Sequence, residues 1–230
     1  MEPTEWVSSP NDLTRQMLVP SQIPRPGPGN GYRSADLSRN LRMSRVGVET
    51  EIKIPAVDLD AVREALARLC ATAVHPQARE VNLLLDTDDG RLQGAGTVLR
   101  LRRYGRHHIL TFKGPAVYRG PIKERPEHEV EIEDTEKMLE ILNQLGLRVV
   151  ARYEKDREMW LVDEISVVLD HTPMGDFVEV EGPWERLPAA VRSLGLDLST
   201  AVRGSYLSLW REHRSHRQEM NLPVDMVFSK

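Results

Sequence analysis

Cysteine is almost missing from this chain: Cys70 is the single one among 230 residues, which excludes an intrachain disulfide and a cysteine-based zinc cluster and fits a reducing compartment. No run approaches the roughly 18 to 20 apolar residues that span a bilayer. The opening Met1–Pro10 has neither the basic region nor the apolar stretch of a signal peptide, so a cytoplasmic protein is the expectation. Neither sign of charge dominates. Lys plus Arg number 31 against 35 Asp plus Glu, a net charge of −4. No global field therefore favours nucleic acid or an acidic membrane surface, and neither partner is expected. A Gly-rich Walker loop, a dinucleotide fingerprint and a serine nucleophile motif are all missing as well, which removes the familiar catalytic schemes. Aromatics make up only 5%, but the 40% apolar share can fill the core of one substantial domain or two small ones.

Three regions differ in composition. Residues 1–45 are polar around a Pro- and Gly-rich run, Pro20 to Gly31, and read as a flexible extension, because proline removes backbone donors and glycine loses much entropy on ordering. Residues 46–212 carry the periodic patterns of a folded domain, and 213–230 form a tail that either docks or frays. Within the domain, a short extended segment over 46–55 precedes a helix capped by Asp58, with Leu59, Val62, Leu66 and Leu69 as its apolar stripe. Strands are predicted at about 80–87, 95–103, 107–113 and 123–133. A second helix follows, capped by Asp134 or Thr135, with Met138, Leu139, Ile141, Leu142 and Leu145 apolar and Gly146 as its stop. Further strands at 148–155, 156–162, 165–170 and 176–182 lead to helices near 184–194 and 205–212. So many short strands favour an antiparallel sheet in one helix-decorated domain.

Charge recurs at period two inside these strands. Glu49, Glu51 and Lys53 share a face, as do Arg100 with Arg102, Glu127 with Glu129 and Glu131, Lys155 with Arg157, and Glu179 with Glu181. One such pair fits any half-solvated sheet; repetition across five segments points to a closed barrel with charges of both signs turned inward. Guanidinium forks and lysine ammoniums bind phosphate oxygens, whereas the carboxylates alone would repel them. A hard divalent cation, Mg²⁺ or Mn²⁺, binds both oxygen types and resolves the conflict.

The motif Glu49-Thr-Glu51-Ile-Lys53 resembles the ExExK signature of the CYTH domains, or triphosphate tunnel metalloenzymes. That family includes class IV adenylyl cyclases, thiamine triphosphatases and inorganic triphosphatases. Blocks at Asn82–Thr87, Leu99–Arg102, Leu110–Pro115, Arg125–Glu129, Glu154–Arg157 and Leu169–Gly182 agree with it in order, so the resemblance spans roughly 46–212. It implies an α+β fold: an eight-stranded antiparallel β-barrel with helices packed outside. Carried over position by position, Glu49, Glu51, Glu179 and Glu181 bind Mg²⁺ or Mn²⁺. Lys53, Arg100, Arg102, Lys113, Arg125, Lys155 and Arg157 line the phosphate-binding side, with Glu127, Glu129 and Asp170 as further acidic tunnel positions. A homodimer is also implied. Leu83–Leu85 stand where relatives often carry aromatic residues.

The reaction expected first is metal-dependent hydrolysis of an inorganic or organic triphosphate; cyclisation of ATP to cyclic AMP and pyrophosphate uses the same grip, and a noncatalytic phosphate-binding module uses the same residues. The general base stays open among Lys113, Glu51 and Glu129, with Lys113 favoured as a charged clamp. His107 and His108 are expected at the rim, and His171 either near the site or facing outward. Trp160 and Trp184 are expected in packing, and Tyr206 either caps an opening or packs its helix on the barrel.

Overall fold

The computed structural model describes residues 47–56, 58–216 and 224–229. The chain divides into two units, Met1–Leu37 and Ser38–Lys230, and all the described residues belong to the second. The extension expected over 1–45 lies outside them.

Among the described residues nine strands follow in chain order: β1 (Gly47–Ala56), β2 (Thr72–Asp86), β3 (Val98–Tyr104), β4 (His107–Lys113), β5 (Val117–Arg119), β6 (Ile122–Glu131), β7 (Arg148–Val162), β8 (Ile165–Thr172) and β9 (Gly175–Glu181). Eight of them form the ring β1-β9-β8-β7-β2-β3-β4-β6, which β1 closes by pairing with β6; β5 pairs with β6 beside the ring. Every pairing is antiparallel. The expected eight-stranded antiparallel barrel with external helices is the architecture found.

The apolar core lies outside this barrel. Alternation sends Ile52 and Ile54 outward from β1, and Val178 and Val180 outward from β9, while Glu51, Lys53 and Glu179 point the other way. Helix α1 (Leu59–Arg68) covers that outer face with Leu59, Val62, Ala65 and Leu66. Asp58 caps it, accepting from the backbone N–H of Asp60 and Ala61. Helix α4 (Leu187–Ser193) adds Leu187 and Val191. Ile52, Leu66 and Val191 are fully buried there, each worth about 1.5–3 kcal/mol in apolar area removed from water. A second cluster packs α3 (Thr135–Gln144), through Leu142, on Leu85 and Leu101. A third joins α5 (Tyr206–His216) to Tyr153, Phe177 and Met226. With the apolar sides turned outward under helices, the interior is left to the charges.

Several boundaries differ from expectation. β2 begins at Thr72, since its first half pairs with β7 through bulges around His75 that break the alternation. β7 is one strand where two were expected. Its charge run holds on both faces, with Lys155 and Arg157 inward and Glu154 and Asp156 meeting Arg79 outside. The helix Arg91–Gly94, here α2, and strand β5 were not anticipated. Asp134, not Thr135, caps α3. Ile141 and Leu145 are 55% and 70% exposed, because only the Leu142 side of α3 meets the sheet. Trp184, expected in packing, is 54% exposed in the turn before α4, whereas Trp160 packs on the first core cluster. The tail docks: Met226 forms a parallel bridge with Tyr153 and is fully buried.

Candidate active site

The barrel encloses a cavity of about 280 Å³. Every one of the five period-two sets reaches it: Glu49, Glu51 and Lys53 from β1, Arg100 and Arg102 from β3, Glu127, Glu129 and Glu131 from β6, Lys155 and Arg157 from β7, and Glu179 and Glu181 from β9. Lys113 and Arg125 line it too. Asp170 does not line it; it lies fully buried behind Lys155 and Arg157, which it holds at 3.0 Å and 2.6 Å. Of the acidic and basic lining residues, two were not expected from the sequence, Glu80 and Lys123. Lys123 continues the alternation of β6 by one step, and Glu80 sits two before Asn82, so period two extended in both strands would have found them.

The wall carries eight acidic and eight basic side chains, and they are already paired. Lys113 Nζ lies 2.7 Å from Glu49 and 3.0 Å from Glu127. Lys123 lies 2.7 Å from Glu51, and Lys53 lies 3.1 Å from Glu179. Glu179 also accepts from Arg157 at 2.5 Å. Glu129 accepts from Arg102 at 2.9 Å, from the Thr111 hydroxyl at 2.8 Å and from Arg100 at 3.3 Å. Arg125 turns two of its nitrogens, Nε and one Nη, onto the Gly114 carbonyl, at 3.0 and 2.6 Å. Gly114 lets the neighbouring Pro126 ring lie close, since a Cβ there would meet Pro126 Cγ at 3.0 Å.

Fully buried Glu80 accepts from Asn82 at 2.9 Å and stands within 3.5 to 3.9 Å of Lys155, Arg157 and Arg102.

Burial opposes charge on all these groups, and the neighbours decide the outcome. For Glu49, burial pushes the carboxyl up, but Lys113 and Lys123 outweigh it and hold it at about 2. Glu129 is likewise held at about 2 against burial by Arg102 and Arg100. Glu80 and Glu179 go below the usual carboxylate range despite burial, through Lys155 and Arg157 around Glu80, and Lys53 and Lys155 around Glu179. Glu127 moves the opposite way: burial raises it, and Lys113 compensates only in part. Burial lowers Arg125, whereas the carboxylates around Arg157 raise it well above its ordinary value despite burial.

Among the described residues, no three His, Cys, Asp or Glu side chains are grouped tightly enough to hold a metal ion. The donor chemistry fits one nevertheless. Glu51 faces Glu181 directly across the β1–β9 ladder, Glu49 lies two residues along, and Glu49 Oε2 is buried without a hydrogen-bond partner. Carboxylate oxygens of this kind suit Mg²⁺ or Mn²⁺.

His107 lines the cavity with its Nδ1 2.6 Å from Glu131, while His108 meets the Thr135 hydroxyl away from it. His171 is half exposed and pairs with Asp176 and the Phe228 ring. Tyr206 lines the cavity. No helix among the described residues is long and apolar enough to cross a membrane.

Residues 47–205 match the CYTH domain. A Methanocaldococcus jannaschii protein provisionally named an adenylate cyclase is 28% identical over 173 residues, 70% of this chain and 98% of the relative. The adenylate cyclase CyaB of Aeromonas hydrophila is 31% identical over 133 residues, 57% of this chain and 67% of the relative. Among solved structures, a Hippeastrum protein shares the fold at TM-score 0.54 and 18% identity, over 71% of this chain and 95% of its own. That protein is provisionally named an adenylyl cyclase and is described as having a dominant triphosphatase activity.

Proposed function

Because the chain belongs to the CYTH domain family, the triphosphate tunnel metalloenzymes, whose members act on triphosphates, we propose that it is a divalent-metal-dependent triphosphatase. The observation that carries this reading is the charged cavity itself. At about 280 Å³ it falls just below the about 300–1,000 Å³ of sites that enclose a whole organic ligand. It has room for a phosphate chain, and the organic group of an ester is left toward the opening.

Lys53, Arg100, Arg102, Lys113, Lys155 and Arg157 would donate to the phosphate oxygens, the guanidiniums as forks and the lysines as point charges. Arg125 would add positive charge from the wall, with its Nε and one Nη engaged by the Gly114 carbonyl. Glu49, Glu51, Glu179 and Glu181 would hold Mg²⁺ or Mn²⁺. Bound there, the cation supplies charge neutralisation at the transferring phosphoryl group. An evenly balanced wall, eight charges against eight, supports this need, because a triphosphate brings several negative charges that the side chains alone leave uncompensated. Glu129 already accepts from Arg100, Arg102 and Thr111, which fits a fixed charge that aims two guanidiniums. Orientation of the attacking water is therefore assigned to Glu51. Lys113, bridging Glu49 and Glu127, acts as a clamp.

Cyclisation of ATP is the second reading, favoured by the names of the two sequence relatives. A name of that kind does not decide the matter, since the Hippeastrum protein combines it with triphosphatase activity. The test is a panel of inorganic triphosphate, thiamine triphosphate and ATP with Mg²⁺ or Mn²⁺, resolving phosphate, pyrophosphate and cyclic nucleotide. Phosphate without cyclic AMP is the expected result. Cyclic AMP with pyrophosphate selects the cyclase reading, and tight binding without turnover reduces the protein to a binding module.

A further inference from the structure

Two residues that line the cavity, Tyr206 and Leu207, lie beyond the family-matched span, which stops at residue 205. Tyr206 opens α5 and is 6% exposed. Its hydroxyl donates to Asp170 Oδ2 at 2.6 Å, and its ring carries Lys53 Nζ at 4.1 Å and Lys155 Nζ at 4.5 Å from the centroid. One side chain thus touches two of the ammoniums assigned to phosphate, and also the carboxylate that holds Lys155 and Arg157. A lysine side chain has several rotatable bonds, so an ammonium with no lateral support would sample many positions in the cavity. An aromatic face under each ammonium restricts that freedom without neutralising the charge.

The ring itself is held from behind. Phe177 meets it edge-on at 5.4 Å and Tyr153 lies at 6.5 Å, in one buried cluster with Leu207, Trp210 and Met226. Met226 is fully buried. Its backbone N–H donates to the Arg152 carbonyl at 3.2 Å, and its carbonyl accepts from the Glu154 N–H at 2.7 Å. Asp225 accepts from the Arg152 N–H at 2.9 Å. The docked segment therefore engages β7 directly before Lys155, and packs against the same cluster that fixes the Tyr206 ring.

We propose that Tyr206 is a positioning residue for Lys53, Lys155 and Asp170, and that the C-terminal segment Asp225–Phe228 completes the phosphate site by holding Tyr206 and β7 in place. The proposal rests on the triphosphate reading above. It adds to that reading that the site is not finished at the end of the family domain.

The test is calorimetric binding of inorganic triphosphate to the full chain, with thermal melting alongside. Tyr206→Leu, which loses both ring and hydroxyl, should bind about tenfold more weakly, as expected from two cation–π contacts. Tyr206→Phe keeps the ring and should lose only about threefold, as for a single hydrogen bond. Met226→Ala, in which the altered side chain is not a cavity-lining one, should also weaken binding, and the volume-conserving Met226→Leu should restore it. A purely structural role would lower the melting temperature and leave the Kd of the folded protein unchanged. Wild-type affinity in folded Tyr206→Leu and Met226→Ala overturns the proposal. A wild-type chain that does not bind inorganic triphosphate overturns the triphosphate reading and this proposal with it.

Discussion

Lys123 on β6 places its Nζ 2.7 Å from Glu51 Oε1 on β1, across the pairing that closes the barrel. The contact joins one end of the strand ring to the other, and it brings a cation to a carboxylate assigned to the metal. Both side chains are nearly buried, at 12% and 8% exposure, so solvent weakens their attraction little.

Lys123 also lines the cavity, where its ammonium would join the six phosphate donors assigned above, so Lys123→Gln should raise KM for inorganic triphosphate. A charge-assisted contact is worth about 1.5–3 kcal/mol, roughly tenfold to a hundredfold in binding. Steady-state kinetics at saturating Mg²⁺ would check this. An unchanged KM would show that Lys123 serves only the barrel closure.

Glu49→Gln bears on the metal. Its Oε2 is buried without a hydrogen-bond partner and its Oε1 meets Lys113, so the amide replaces a carboxylate donor with little change of shape. Mn²⁺ affinity should fall at least by the roughly 10- to 100-fold that follows loss of an outer-shell partner. Far-ultraviolet circular dichroism should stay unchanged. Calorimetric titration of Mn²⁺ reads the affinity directly, and wild-type binding would remove Glu49 from the metal set.

How far this site could be read from the sequence depended on the strand. Alternation on β1, β3 and β9 gave both the inward face and the chemistry, because Glu49, Glu51 and Lys53 alternate with Thr50, Ile52 and Ile54 with no irregularity. β2 hid its first half. Pro76 and the bulges around His75 interrupt period two, so the expected strand began at Glu80, where that residue reads as a strand end and not as an inward wall position. On β7 two strands, 148–155 and 156–162, were expected where one runs through, with Arg79 outside and Asp170 behind the wall balancing its two charged faces. Pairing of acids with bases across the cavity was not legible at all. It depends on which strands become neighbours when the ring closes, and no local pattern encodes that.

Acid should destabilise the fold in a defined window. Glu49 and Glu129 are held at about 2 against an ordinary value of 4.5, and Glu80 and Glu179 are shifted in the same direction. A depressed carboxylate contributes stability that is fully present above its unfolded pKa and is lost as pH falls through the folded one. The melting temperature should therefore hold level down to about pH 5 and then fall steadily toward pH 2. Glu127, raised by burial, opposes the trend without reversing it. A profile flat to pH 3 would contradict the pairing described for the cavity wall.

Glu80→Gln separates stability from binding. The carboxylate is fully buried and stands within 3.5 to 3.9 Å of Lys155, Arg157 and Arg102. Removing one partner of a buried charge set costs about 3–5 kcal/mol, because the remaining charges are left uncompensated. The amide keeps the shape and an acceptor for Asn82. Inorganic triphosphate would restore the missing negative charge, so it should raise the melting temperature of the variant by more than that of the wild type. Differential scanning calorimetry with and without the anion compares the two increments. Equal increments would mean that Glu80 does not share its cations with the ligand.

Asp86→Ala offers a contrast away from the cavity. The Asp86 carboxylate, at the end of β2, accepts from the backbone N–H groups of Thr87, Leu92 and Gln93 at 2.7, 2.8 and 2.9 Å. It thus fixes the turn that carries the chain through α2 into β3. Burial pushes the carboxyl up, but these N–H donors outweigh it and lower it. Removing this acceptor, which serves backbone N–H groups as a helix cap does, should cost about 1–2 kcal/mol at neutral pH, and the cost should shrink as pH falls through the depressed pKa of the native carboxyl. Asp86 is not among the cavity-lining residues, so turnover per folded molecule should stay at the wild-type level. Chemical denaturation at pH 7 and pH 3, with a single activity assay at pH 7, tests both halves. A loss of turnover without a loss of stability would show that this turn reaches the site through β3.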